Sequence, residues 1–174
     1  MAKILRMLIV VFGIFLIVSV TSARIIRQEA VEFTPGSEPD GFRGIKWGTD
    51  ILTLKDMTLV MAIDNDVKRY QRKGDVLKIG EAKLEYIHYE FWKGKFYLVD
   101  IGFQGIENSN NLKRSLFGRY GKGQNMPGEG EKSVESYHWE GEKTTVIMIC
   151  DATGGGITIS SIEIMEERQR GQTE

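Results

Sequence analysis

Two short runs in this sequence have residue types that can do chemistry at a spacing that can support it. His88-Tyr89-Glu90 and His138-Trp139-Glu140 each place an imidazole and a carboxylate two positions apart around an aromatic residue. On a β-strand that spacing puts the His and the Glu on one face and the aromatic on the other. Were the two strands neighbours, two imidazoles and two carboxylates would converge into a ligand set for zinc or another divalent transition metal, or into the centre of a hydrolase. The competing reading makes all four the solvent-side positions of half-buried strands, where polar residues belong, and it carries more weight. These are the only two histidines in the chain.

Other chemistries find less support. The single cysteine, Cys150, ends the apolar run TTVIMIC with no cationic or histidine neighbour, the setting of an inert buried thiol. No G-x-S-x-G elbow occurs, and Ser160-Ser161 falls inside a strand pattern. The glycine-rich loop GKGQNMPGEGEKS (121–133) is not a phosphate loop: Glu129 follows Gly128 where a lysine is needed, and a helical pattern precedes it. Asp64-Asn65-Asp66 lacks the central glycine and distal glutamate of a calcium loop and reads as a turn. No residue is assigned a catalytic, cofactor-binding or metal role, and no cofactor is expected.

The N-terminus says where the chain goes. Lys3 and Arg6, the apolar run Met7–Val20 and the small residues Thr21-Ser22-Ala23 form the three parts of an export signal. The run is shorter than the roughly 20 residues a spanning helix needs. Arg24 and Arg27 just downstream disfavour cleavage, so residues 1–23 are either a removed signal, the favoured outcome, or an N-terminal membrane anchor. Both imply an extracytoplasmic location, in the periplasm or on the outer face of a bacterial inner membrane. No cysteine lies near residue 23 to carry a lipid. Formal net charge is −1 for the whole chain and −3 without residues 1–23, which remove two cations and no acid. Such a surface makes no electrostatic case for nucleic acid, and membrane contact is expected only through residues 1–23 if they are retained. With one thiol there is no internal disulfide, so the hydrophobic core must hold the domain.

Residues 24–40, with Pro35 and Pro39 and no periodicity, read as a tether. From Thr58 onward two-residue alternation dominates. TLVMAI (58–63) reads as a strand. VKRYQRK (67–73) reads as a polar edge strand, with Arg69 and Lys73 on one face and Lys68 and Arg72 on the other. In KLEYIHYEFWKGKFYLVDIGFQG (83–105), Ile87, Tyr89 and Phe91 share a face, as do Tyr97, Val99, Ile101 and Phe103. For both sets to face one core the hairpin needs an odd loop, which Trp92-Lys93-Gly94 supplies with Gly94 left-handed. Tyr86, Trp92, Phe96 and Leu98 then lie on the other face, as a contact surface or beneath the N-terminal segment. Leu112, Leu116 and Tyr120 mark a helix from Ile106 to Gly121, capped by Asn108 or Ser109. Three short strands follow, VESYHWE, KTTVIMIC and GITISSIEI, with Gly154-Gly155-Gly156 as a turn and residues 166–174 as a frayed polar tail. The expectation is an α+β domain over 41–165: an antiparallel β-sheet of about six to seven hairpin-connected strands with one main helix packed on one face.

GFRGIKWGTD (41–50) opens this domain. Phe42, Ile45 and Trp47 are its first large apolar residues, Thr49 or Asp50 can cap the run ILTLKDM, and the stretch reads chiefly as architecture. The alternative is a Trp-lined ligand edge with Arg43 and Lys46 as anion contacts. The order GFRGIKWGT, YEFWKGKFYLVDIGFQG, NNLKRSLFGRYG resembles a group of small exported bacterial proteins with an F-x-x-I-x-W-G start, over most of residues 41–165. The resemblance implies a small α+β envelope domain and no activity. Function is therefore expected to be that of an exported, non-catalytic module binding a protein or a small molecule. The alternative is the metal-binding protein or hydrolase built on His88, Glu90, His138 and Glu140.

Overall fold

The computed structural model describes residues 31–127 and 134–171. The N-terminal export pattern and part of the glycine-rich loop lie outside them. Among the described residues no helix is long and apolar enough to cross a membrane.

The chain is α+β and mostly sheet. In order it forms β1 (Gly41–Phe42), β2 (Ile45–Lys46), β3 (Met57–Ala62), β4 (Val67–Arg72), β5 (Lys78–Ile79), β6 (Ala82–Lys83), β7 (Tyr86–Trp92) and β8 (Lys95–Gln104). Helix α1 (Ile106–Tyr120) follows, then β9 (Gln124–Pro127), β10 (Glu135–Glu140), β11 (Thr144–Cys150), β12 (Gly154–Ser161) and α2 (Ile162–Arg170). Eight strands make one sheet in the order β3-β4-β7-β8-β12-β11-β10-β9, and every pairing is antiparallel. β1-β2 and β5-β6 are separate two-stranded ribbons. The sheet thus has more strands than expected, and the described residues form two α-helices.

The β7–β8 hairpin meets the parity demand by a different device. Its loop is the two-residue Lys93-Gly94, both at positive φ (48° and 81°), the pattern of a type I′ turn. The extra residue sits in the strand instead. Phe91 pairs with Phe96 but Glu90 pairs with Leu98, so Tyr97 is a bulge. Phe96 therefore joins Phe91, Tyr89, Val99 and Ile101 in the main core, while Tyr97 leaves that set for the opposite face, with Val67 and Ile164. Trp92 and Leu98 also pack there, against α2.

The main core gathers Trp139, Val146, Met148, Ile157 and Ile159 from the second half of the sheet with Leu112, Leu116 and Tyr120 of α1. Neither Asn108 nor Ser109 caps α1. Gly105 holds the N-cap position, Asn108 accepts from the Lys83 N–H at 2.9 Å, and Ser109 donates to the Gly105 carbonyl. Gly154-Gly155-Gly156 is the start of β12, and the preceding turn is built by Asp151, whose carboxylate accepts from the Thr153 and Gly154 N–H groups.

The described part of the expected tether is fixed to the domain. Val31 bridges to Trp139, the Thr34 N–H donates to the Tyr120 carbonyl at 2.9 Å, and Phe33 meets Tyr120 edge-on. Glu38 accepts from the Lys143 and Thr144 N–H groups, and the Thr144 hydroxyl donates to the Pro39 carbonyl at 2.6 Å. Aperiodic sequence concealed this because the strap is held by single polar contacts rather than by a repeating apolar face. Likewise residues 166–170 belong to α2, not to a frayed tail. The buried Thr144 hydroxyl also accepts from Trp47 Nε1 at 2.8 Å. Thr144→Val orphans both the indole N–H and a junction of the strap. Loss of about 1–3 kcal/mol is expected for such an unsatisfied buried group, measured by urea unfolding at constant m.

Candidate functional site

The two H-aromatic-E runs do not converge. β7 and β10 are separated by β8, β12 and β11. Following the registers, His88 pairs with Asp100, Asp100 with Thr158, Thr158 with Ile147 and Ile147 with His138. Both histidines thus share one face and one cross-strand row, but stand four strand spacings apart, about 19 Å at the usual inter-strand distance. Among the described residues no group of three or more His, Cys, Asp or Glu side chains is placed to hold a metal. The premise of the metal reading is removed by strand order, which the sequence alone did not reveal.

Each member of the runs has its own environment. His138 Nε2 lies 3.5 Å from Glu140 of its own strand. Glu90, 6% exposed, is a buried and fully partnered carboxylate. Arg69 donates to its Oε1 from Nε (2.9 Å) and Nη2 (2.5 Å), and the Tyr97 hydroxyl donates to Oε2 at 2.9 Å. Arg168 of α2 donates in turn to the Tyr97 hydroxyl at 3.2 Å and approaches Asp64 at 3.5 Å. This chain of charges pins α2 to the sheet, and burial together with Glu90 pushes the Tyr97 phenol upward. A carboxylate so occupied serves as an anchor. Cys150 is buried, and burial pushes its thiol upward, consistent with an unreactive side chain.

A cavity of about 440 Å³ lies elsewhere, between the β1–β2 hairpin, β5, α1 and the sheet. Ile101 of β8 with Ile157 and Ile159 of β12 form its floor, and Leu116 and Tyr120 of α1 its wall. Phe42 and Ile79, half-buried, stand at the mouth. Three cations, Arg43, Lys78 and Arg119, surround this apolar space, and among the described residues no acidic side chain lines it. Volumes of this order, apolar walls and a few placed polar groups are the usual features of a small-molecule site.

The hairpin that frames the cavity is the GFRG of the sequence. Phe42 pairs with Ile45 across Arg43 and Gly44, both at positive φ (48° and 82°), again the two-residue turn. A side chain at Gly41 would collide with the Ile45 carbonyl 2.0 Å away, so the tight crossing requires glycine. Arg43 is held in this uncommon conformation by its own contacts. Its guanidinium donates to Asp75 and to the Lys78 carbonyl (2.8 Å) and stacks 5.4 Å from the Phe42 ring centroid. Asp75 also accepts from the Tyr89 hydroxyl at 2.6 Å. Lys78 lies 3.5 Å from Glu81. Arg119, exposed at the cavity mouth, rests over Tyr120 and makes no ion pair among the described residues.

In GFRGIKWGTD the structure shows the architectural roles, and Trp47 does not line the cavity. Trp47 packs on Phe96 and bonds Thr144, and Asp50 caps the turn Ile51–Thr53: these are architecture. Arg43 faces the cavity, whereas Lys46 instead pairs with Asp40 at the surface. Sequence reasoning did not single out Lys78 of β5 or Ser115 and Arg119, one turn apart on α1, which also line the cavity. Only Arg119, just before the helix-ending Gly121, stood near a recognisable signal. No protein-family model, curated protein or solved structure matches the chain.

His88 yields a pH prediction. Burial, then the nearby Arg69, lowers its pKa below the ordinary 6.5, opposed by Asp100 and Glu90. Gln71 and the stacked Tyr86 ring complete its surroundings. A histidine with a depressed folded-state pKa binds protons first in the unfolded chain, so its contribution is complete above 6.5 and lost as pH falls through the folded value. Asp100, raised by burial, has the opposite sign: its contribution declines as pH rises above 3.8. In unfolding measured from pH 8 to 5, His88→Gln is expected to flatten the wild-type decline below 6.5. Asp100→Asn is expected to gain stability at pH 7 relative to pH 4.

Proposed function

We propose that this chain is an exported, non-catalytic binding module whose ligand is a small molecule with an anionic head and an apolar body, held in the cavity beneath α1. The observation that carries this reading is the contrast between the cavity's aliphatic and aromatic walls and its basic rim, where Arg43 and Lys78 are paired with Asp75 and Glu81 while Arg119 has no ion-pair partner among the described residues. The walls suit an alkyl or aromatic body, and the Arg119 guanidinium, unpaired among the described residues, suits a carboxylate or another anion. In this reading α1 lies across one sheet face as the cover of the site. Arg43, already bound to Asp75, fixes the hairpin wall more than it contacts the ligand. The export-like pattern of residues 1–23 and the resemblance to small exported F-x-x-I-x-W-G proteins support a bacterial envelope location within the same proposal. Non-catalytic character rests on the partnered state of Glu90 and the separation of His88 from His138.

Thermal unfolding with decanoate and with decanol, each below its aggregation concentration, tests this. A ligand at 100 times its dissociation constant adds about 2.7 kcal/mol, several degrees in Tm for a domain of this size. Decanoate is expected to give that rise, decanol less. Arg119→Gln should bring decanoate down to the level of decanol, and Ile157→Trp, which fills the floor, should abolish both. Equal absence of response to both compounds in the wild type rejects the cavity as a binding site.

A further inference from the structure

We propose that the β1–β2 hairpin is a flap over the cavity and that Arg43 is the latch that holds it shut, so that entry is gated by the Arg43–Asp75 pair. This gating rests on the reading of the cavity as a ligand site and adds how that site is entered. The hairpin is fastened firmly at its base. Thr144, fully buried, accepts from Trp47 Nε1 at 2.8 Å and donates to the Pro39 carbonyl at 2.6 Å, so it ties down both ends. The Trp47 N–H donates to the Asp40 carbonyl at 3.0 Å, and the Gly48 N–H to the Phe96 carbonyl at 2.8 Å. Beyond that base, among the described residues, only Arg43 hydrogen-bonds residues 42–45 to the rest of the domain. Its guanidinium holds Asp75 and the Lys78 carbonyl, both in the segment that forms β5. Strand β4, expected at the sheet edge, lies inside it between β3 and β7, and from there Arg72 donates to the Arg43 carbonyl at 3.2 Å. Helix α1, which shares the cavity with the hairpin, gives it no hydrogen bond or ion pair among the described residues.

The tip has room to move. Arg43 lines the ligand cavity, a pocket of about 170 Å³ toward Lys46 and Arg119, and another of about 410 Å³ toward Asp56 and Lys73. A Cβ at Gly44 would meet nothing within 4 Å. An element enclosed by close packing has no such freedom. The closed position is nonetheless the resting one. Ile45, 4% exposed, is seated in the main core, and the Phe42 ring lies 5.9 Å from that of Tyr89. Arg43 adds to this seat from an unfavourable backbone position, since its φ of 48° suits glycine better. What arginine contributes at the turn is therefore its side chain. The receiving carboxylate is itself fixed, because the Tyr89 hydroxyl of β7 donates to Asp75 at 2.6 Å. Swinging the tip outward breaks the Arg43 contacts, lifts Phe42 from the mouth and opens the apolar space.

Amide hydrogen exchange by NMR on the full-length chain, without ligand, reads the latch directly. Arg43→Gly leaves a residue suited to positive φ and removes the guanidinium. Asp75→Asn keeps an acceptor for Tyr89 and removes the charge. In both, the Ile45 amide is expected to exchange on the order of tenfold faster than in wild type, while the Gly48 amide at the base keeps its rate. Stopped-flow binding of anilinonaphthalene sulfonate, an anion with an apolar fluorescent body, reads the gate. Association and dissociation should both quicken on the order of tenfold in Arg43→Gly, with Kd little changed. Unchanged Ile45 exchange in both variants overturns the proposal. So does equal acceleration at Gly48, which would mean general loosening. Faster dissociation alone, with Kd weakened in proportion, overturns it too, because Arg43 would then be a ligand contact. Should wild type bind neither the probe nor decanoate, the cavity reading fails instead, and Ile45 exchange still decides whether Arg43 latches the hairpin.

Discussion

The seam between β8 and β12 holds the two halves of this molecule together. Strands β3, β4, β7 and β8 form one antiparallel group and β9 to β12 another, with α1 carrying the chain from the first to the far edge of the second. Seven residue pairs, Gly154–Gln104 to Ser160–Leu98, join the groups into one sheet. The contact begins at a glycine for a steric reason: a Cβ at Gly154 would meet the Phe103 carbonyl of β8 at 2.4 Å, while one at the next residue, Gly155, would meet the Ile149 carbonyl of β11 on the other side at 2.1 Å. Two residues of the cavity floor, Ile101 and Ile157, are themselves a pair across this seam. Closing the sheet and forming the pocket are thus one event.

The two faces of the sheet are stabilised differently. One carries the large apolar cluster, in which aromatic rings from the hairpin, the strap and α1 meet edge-on or tilted at 5–6 Å. The other carries a small apolar group around Tyr97 and Ile164 and, beside it, the Arg69–Glu90–Tyr97–Arg168 network. A charged network with one buried carboxylate is tolerated because every oxygen of Glu90 has a donor; losing one partner would leave a buried charge uncompensated. The bulge at Tyr97 serves both sides, sending Phe96 into the large core and Tyr97 out to the network.

Much of this could be read from the residues. Alternation in 83–105 implied the hairpin and its parity shift, and the recurrence of Leu112, Leu116 and Tyr120 implied α1. What could not be read was where the odd residue falls, because a loop or a strand bulge satisfies the same parity. Strand order was equally hidden. His88-Tyr89-Glu90 and His138-Trp139-Glu140 look equivalent in sequence, yet one ends in a buried anchor and the other in an exposed Glu140. The cavity was invisible for a related reason: its rim residues come from a hairpin, a ribbon and a helix, each with an ordinary local pattern. Phe42 stood out as one of the first large apolar residues of the domain, and Arg43 only as a possible anion contact beside Trp47.

The strap gives the molecule a polarity. The described chain enters the domain beside β10, where Val31 bridges to Trp139, and β3 lies six strand spacings away, about 29 Å across the sheet. Whatever holds or pulls on the N-terminus acts on one end of this span through Thr34, Glu38 and Pro39, while the outermost strand at the other end feels none of that load directly. A force on the chain would peel the strap from Thr144 and Tyr120 before it reached the central seam, leaving the cavity floor intact until last.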